Sequence, residues 1–203
     1  NWSDVSTGSG FTTNTFTTAA LSSTTHYRVA ASCDGINFSA HSSVVTITVN
    51  NTIYYVNDNS AVGDIWCTSV GNDANNGTSA STPKLTLSSA LLAAGCGSII
   101  YVDKGTYTDD LLDITSSSDG LTIVGAGMGS TIFQQSGTGD HFLEIKEPAN
   151  NITISDMTIK DYDENNHGGA IDITSGGTIT IQDIHFDNLQ SLYHYEQEYL
   201  LHQ

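Results

Sequence analysis

Asp161, Asp163 and Glu164, followed at once by Asn165 and Asn166, put five oxygen-bearing side chains into six residues. Carboxylate and amide oxygens converging in one turn are what a hard cation such as Ca²⁺ requires, although the Gly at the sixth loop position and the closing Glu of an EF-hand are missing. A solvated turn rich in Asn and Asp explains the same residues. Asp58, Asn59, Asp64, Asn72 and Asp73 form a second oxygen-rich region open to the same two explanations. His167 and His185 have no third ligand at metal spacing, which argues against zinc, and His26 and His41 read as solvated strand residues. No cofactor is required by these patterns, and Ca²⁺ is the one ion they suit.

The charge balance agrees. Five Lys and Arg stand against 22 Asp and Glu, so the field around the chain attracts cations and repels nucleic acid phosphates and anionic membranes. The imbalance is uneven: Asp4, Asp34 and Arg28 are the charged residues of positions 1–50, leaving 20 acids and four Lys for the rest. Thr, Ser, Asn and Gly abound, a usage that suits short strands and tight turns. No run approaches the roughly 18 apolar residues of a transmembrane helix, and the first residues lack a signal peptide's basic and apolar regions. Because Asn1 opens directly onto Trp2 in sequence that already reads as folded, the stretch is expected to come from a longer exported precursor.

The elements that would position these residues are legible as a repeat. Leu111-Leu-Asp-Ile114, Phe142-Leu-Glu-Ile145 and Ala170-Ile-Asp-Ile173 recur at spacings of 31 and 28 residues, each with an acid in third place. A second series follows, Leu121-Thr-Ile123, Ile152-Thr-Ile154 and Ile179-Thr-Ile181, and a third, Thr131-Ile-Phe133, Met157-Thr-Ile159 and Ile184-His-Phe186. Three short strands per unit, separated by Gly, Asn and Asp turns, describe one coil of a parallel β-helix. Stacked coils would align the inward Ile and Leu in columns and leave Thr, Asp and Glu outward.

Such a stack has an open apolar end. Pro83, then Leu87, Ala90, Leu91 and Ala94 at helical spacing, then Gly95, predict a capping helix over about 84–94. Cys67 precedes it and Cys96 follows it. In an exported chain these two are expected to form a disulfide, closing a loop of about 30 residues and stabilising by roughly 3–4 kcal/mol; the alternative is two buried thiols. Residues 1–50 read differently, as antiparallel strands at Phe11 to Ala20, His26 to Cys33 and Ser43 to Val49. Leu21, Tyr27 and Val29 have a spacing that resembles the tyrosine corner of immunoglobulin and fibronectin type III sandwiches, which implies the second half of such a domain. The tail, 191–203, drops the coil pattern and is assigned no function.

Five segments in order carry a family resemblance: Tyr54-Tyr-Val-Asn-Asp58, Gly71-Asn-Asp-Ala-Asn-Asn-Gly77, Pro83 with Leu87 and Ala90, Ile100-Tyr-Val-Asp-Lys-Gly-Thr-Tyr107, and Leu121-Thr-Ile-Val-Gly-Ala-Gly127. Together they resemble the opening of pectate-lyase-like right-handed parallel β-helix proteins of bacteria, over roughly residues 53–190. Gly168-Gly-Ala-Ile171, Thr178-Ile-Thr-Ile181 and Phe186-Asp-Asn188 are similar to repeats of bacterial surface adhesins. The resemblance implies an all-β chain: a partial sandwich at 1–50, the N-terminal part of a right-handed parallel β-helix at 51–190, and extracellular or cell-surface localisation.

Lyases of that family imply clustered carboxylates for Ca²⁺ and an Arg or Lys base. The sole Arg is Arg28, in the other domain; of Lys104, Lys146 and Lys160, only Lys160 lies within an obvious acidic cluster, beside Asp161 and Asp163. Hydrolysis would need paired acids on neighbouring coils, and Asp156 and Asp183 fall at equivalent positions. We assign no catalytic residue. The expected function is a non-catalytic adhesive or structural surface protein within a larger parent chain or assembly, with polysaccharide or other cell-surface ligands and no nucleic acid. The alternative is a polysaccharide lyase or glycosidase whose active coils lie beyond residue 190.

Overall fold

The structure is a computed structural model that describes residues 25–27, 30–31, 40–41, 44–47, 52–136, 141–164 and 170–191. The chain divides into two compact units, Asn1–Asn50 and Asn51–Gln203. In the first, β1 (Thr25–Tyr27) pairs antiparallel with β4 (Val45–Ile47), and β2 (Ala30–Ala31) with β3 (Ala40–His41). His26 Nδ1 lies 2.9 Å from Thr46 Oγ1 across the first pair. Leu21, Val29, Cys33 and the expected strand at 11–20 lie outside the described residues.

The second unit is strands with one α-helix. β5 (Ile53–Val56) is followed by α1 (Leu87–Ala93), then β6 (Ile99–Val102), β7 (Gly105–Tyr107), β8 (Leu112–Ile114), β9 (Thr122–Gly125) and β10 (Thr131–Gln134). After these come β11 (Leu143–Ile145), β12 (Ile152–Lys160), β13 (Asp163–Glu164), β14 (Ile171–Ile173), β15 (Ile179–Asp187) and β16 (Gln190–Ser191). All strand pairs described here are parallel: three ladders, β5-β6-β9-β12-β15, β7-β10-β12-β15 and β8-β11-β14, and the separate pair β13-β16. The nine-residue β12 and β15 serve two ladders each, because Asp156 (φ 62°) and Asp183 (φ 52°) turn left-handed in mid-strand and re-aim the second half of each strand. In these two units the second and third sequence series thus fuse into one bent strand, while in the first unit they stay apart as β9 and β10.

Register turns the alternating sequence into columns. Tyr54, Ile100, Ile123, Ile154 and Ile181 are successive partners along the first ladder, and Tyr107, Phe133, Ile159 and Phe186 along the second. Ile100, Ile123 and Ile154 are at most 1% exposed, and burial of each such side chain contributes about 1.5–3 kcal/mol. Tyr107, Phe133, Phe142 and Tyr162 add a chain of ring contacts with centroids 5.2, 4.6 and 5.6 Å apart. The Tyr162 hydroxyl donates to the Asp109 carbonyl. Gly125 leaves no room for a side chain, since a Cβ there would sit 2.2 Å from the Asp156 carbonyl oxygen.

Two expectations need correction. The helix begins at Leu87, not near Pro83: Lys84 N donates to the Tyr55 carbonyl and Asn57 N to the Lys84 carbonyl, which keeps that segment extended. Asp73 then takes Leu85 N and Thr86 N at 2.9 and 3.0 Å, and Thr86 caps the helix by accepting from Ser89 N. Leu87 and Ala90 are fully buried, with Leu91 and Ala94 packed beside them. Leu111, in turn, is not a strand residue; it is left-handed (φ 50°) and 56% exposed.

Candidate functional site

Asp161 follows β12 in a left-handed conformation (φ 60°). Its Oδ2 accepts from Gln134 Nε2 and its Oδ1 from Asn188 Nδ2, each at 2.8 Å, and Lys160 Nζ lies 3.6 Å from Oδ2. Gln134, Asp161 and Asn188 are 27 residues apart in turn, so this is a polar ladder running along the strand stack. The Asn188 amide holds the Asp161 carboxyl below the ordinary carboxylate range. Each oxygen faces a donor, the opposite of what a cation meets. Asp163 contributes its N–H to Gln135 Oε1 at 2.9 Å, and β13 pairs with β16. The side chain of Glu164, with Asn165, Asn166 and His167, lies outside the described residues. Among the described residues no group of three His, Cys, Asp or Glu is placed to share a metal.

The second oxygen-rich region is committed to folding its own loops. Asp58 accepts from Ser60 N at 2.7 Å, Asn72 from Ala74 N at 2.9 Å, and Asp73 holds the start of α1. Asp64, whose carboxyl burial pushes up, accepts from Asn57 Nδ2 at 2.7 Å. The anchor of the region is Asp103, on the segment after β6 and fully buried. Its Oδ1 accepts from Ile65 N and Lys104 N at 2.8 and 2.7 Å, and its Oδ2 from Trp66 N and Cys67 N at 2.8 and 2.6 Å. Burial alone would raise this carboxyl; the four N–H groups outweigh it and hold it below its ordinary value.

Cys67 and Cys96 are free thiols, which corrects the expected disulfide between them. Cys67 is buried and turned to the Val56 carbonyl, while Cys96 is exposed and turned to the carbonyls of Ser116 and Ser117. Asp103 fixes the first by its backbone, and the turn after α1 carries the second elsewhere. Burial pushes the Cys67 thiol up and keeps it unreactive.

One constellation was not visible in the linear sequence. Asp113, Glu144 and Asp172, the third-place acids of the repeat, are register partners on β8, β11 and β14. Lys146, two residues beyond Glu144, places Nζ 2.9 Å from Asp113 Oδ1 and 3.2 Å from Glu144 Oε2. Bonds from Asp113 and then Glu144 raise the Lys146 pKa, so the amine stays protonated. This outward column is the candidate site: stacked carboxylates with a cation among them. It can bind charge, but a proton-abstracting base must be neutral at working pH. Lys160 lies against Asp161, and the exposed His185 stands on β15. Asp156 and Asp183 are opposed at the strand bends, where their left-handed backbone accounts for the residue type.

Among the described residues no helix is long and apolar enough to cross a membrane. Comparisons with protein-family models, with curated proteins and with solved structures each gave no match.

Proposed function

We propose that residues 51–190 are the first coils of a right-handed parallel β-helix of the pectate-lyase-like kind. On this reading the chain is a non-catalytic adhesive or structural protein of the cell surface or extracellular medium. The in-register parallel ladders and the helix over their first strands support the architecture. The observation that carries the non-catalytic reading is Lys146: the one amine bridging two acids of the stacked column is held protonated by them. Lys160 is likewise paired, with Asp161. Acids whose oxygens are met by donors, and an amine held charged by two of them, make a cohesive polar surface rather than a reacting pair. Extracellular polysaccharide or another surface polymer is the ligand class such a face would meet.

The stacked acids with Lys146 also give the competing reading, a polysaccharide lyase or glycosidase, its concrete form. Incubating the protein with uronate polymers, with and without added Ca²⁺, and following unsaturated-product absorbance and reducing ends separates the two. We expect no product. Turnover that disappears in Lys146→Ala or Lys160→Ala would defeat the non-catalytic reading and place a base on this face.

A further inference from the structure

The loop that leaves β5 is held from inside by two buried polar side chains. Asn57 Nδ2 donates to the Ser60 and Ser69 carbonyls at 3.1 and 2.9 Å and to Asp64, while Asp103 takes the N–H groups of Ile65, Trp66 and Cys67. Together they set the Trp66 ring on the outer face of the first strands. Its centroid lies 4.8 Å from that of Tyr101, and Tyr101 stands 5.9 Å from Tyr55. Tyr55 and Tyr101 are register partners that alternate with the buried Tyr54 and Ile100, so they point away from the core. All three rings are half-buried. The face turns polar further along the ladder, where Thr122 of β9 is opposite Thr153 of β12, and Thr153 opposite the exposed Thr180 of β15.

We infer that this aromatic strip binds a neutral glycan, with sugar rings stacked on Trp66, Tyr101 and Tyr55 and hydroxyls met by the tyrosine and threonine hydroxyls. It gives the polysaccharide ligand of the proposed function a place apart from the acidic column, and it rests on that reading for the ligand class alone. The chemistry of the strip selects the occupant. A pyranose ring shows C–H groups on its faces and hydroxyls on its rim, so it is matched by flat rings with polar edges. Aromatic rings held from below give such contact area at little cost in conformational freedom. Charge then chooses among glycans. Asp58 and Asp64 stand in the loop that carries Trp66, and the chain bears a net charge of −17, so uronate, sulfate and phosphate polymers are repelled. Lys104, whose Nζ lies against Gly63, is one amine beside those two acids. The same net charge works against a second copy on this face.

A Trp2→Phe background leaves Trp66 as the single tryptophan of the full chain. Its fluorescence is followed on titration with cellohexaose, xylohexaose and mannohexaose, with hexagalacturonate as the anionic contrast. At least one neutral hexasaccharide should shift the emission saturably, and hexagalacturonate should not. By calorimetry, Trp66→Ala should weaken that binding about tenfold or more, and Trp66→Phe far less. Tyr101→Ser leaves the Asp103 anchor alone and should weaken it likewise, so the result does not hang on the loop staying folded. Circular dichroism checks that each variant keeps its strands. Failure of all three neutral probes to bind overturns the inference, as does binding unchanged in both Trp66→Ala and Tyr101→Ser. Hexagalacturonate binding as tightly at these rings, or a Trp66-dependent dimer in sedimentation, overturns it too. Uronate turnover in the assay above would defeat the non-catalytic reading, whereas absent neutral-glycan binding defeats this inference alone.

Discussion

Asp103→Asn keeps the shape of a fully buried side chain and changes one oxygen into an amino group. Four backbone N–H groups point at the carboxylate, two to each oxygen, so the amide must turn a donor toward two of them. An unsatisfied buried N–H costs about 1–3 kcal/mol, which puts the upper bound near 6 kcal/mol. The Ile65 and Lys104 side of the group is nearer solvent, Ile65 being 59% exposed and Lys104 exposed. The amide will therefore aim its oxygen at Trp66 and Cys67 and leave the other pair to water, bringing the expected loss to about 2–3 kcal/mol. Asp103→Ala strips all four and should cost about 3–5 kcal/mol. The Tyr107 hydroxyl and Thr131 Oγ1 bond the Asp103 backbone carbonyl, at 2.9 and 3.1 Å, and are untouched by either change. Urea unfolding followed by circular dichroism measures the loss, and Trp66 fluorescence reports whether its loop lets go first. If Asp103→Ala stays within about 0.5 kcal/mol of the parent, the carboxylate does not anchor the loop.

Acid sensitivity follows from the same group. Its folded pKa is depressed, so its stabilisation is full above the unfolded value of about 3.9 and is lost as pH falls through the folded pKa; Asp103→Asn should flatten the acid limb of an unfolding curve measured from pH 5 downward. Gly125→Ala forces a Cβ against the Asp156 carbonyl and should cost about 1–3 kcal/mol or more in urea unfolding. Ile154→Asp sets an unpaired charge in the central column and should abolish the cooperative transition by circular dichroism. In a Cys33→Ser background one thiol, Cys96, should react promptly with a thiol reagent, while Cys67 should wait for denaturant.

The strand pattern was legible because alternation survives any choice of register: whichever strand Ile154 meets, it must point inward. The third-place acids were legible as a repeat for the same reason. Their partnership with Lys146 was not, since it depends on Glu144 standing opposite Asp113, a register set by the whole stretch from β8 to β11, with β9 and β10 in it, rather than by neighbours in sequence. Looking for a Lys within an obvious acidic cluster along the chain selects Lys160 and passes over Lys146. The signal was there in another form: an acid in third place with a Lys two residues on occurs in one repeat only, Glu144 with Lys146.

The misread cysteines show the converse. Flanking a helix says nothing about where its two ends deliver the chain, and here one thiol packs on the Val56 carbonyl while the other meets the turn at Ser116 and Ser117. Asp161 likewise keeps company with Asp163 and Glu164 in sequence, but its oxygens answer to Gln134 and Asn188, 27 residues away on either side. Across these parallel ladders, the neighbours that decide chemistry lie one repeat away. An acidic cluster counted along the sequence therefore leaves out the donors that meet its oxygens, and an acid aligned across repeats gains a Lys that belongs to the next strand.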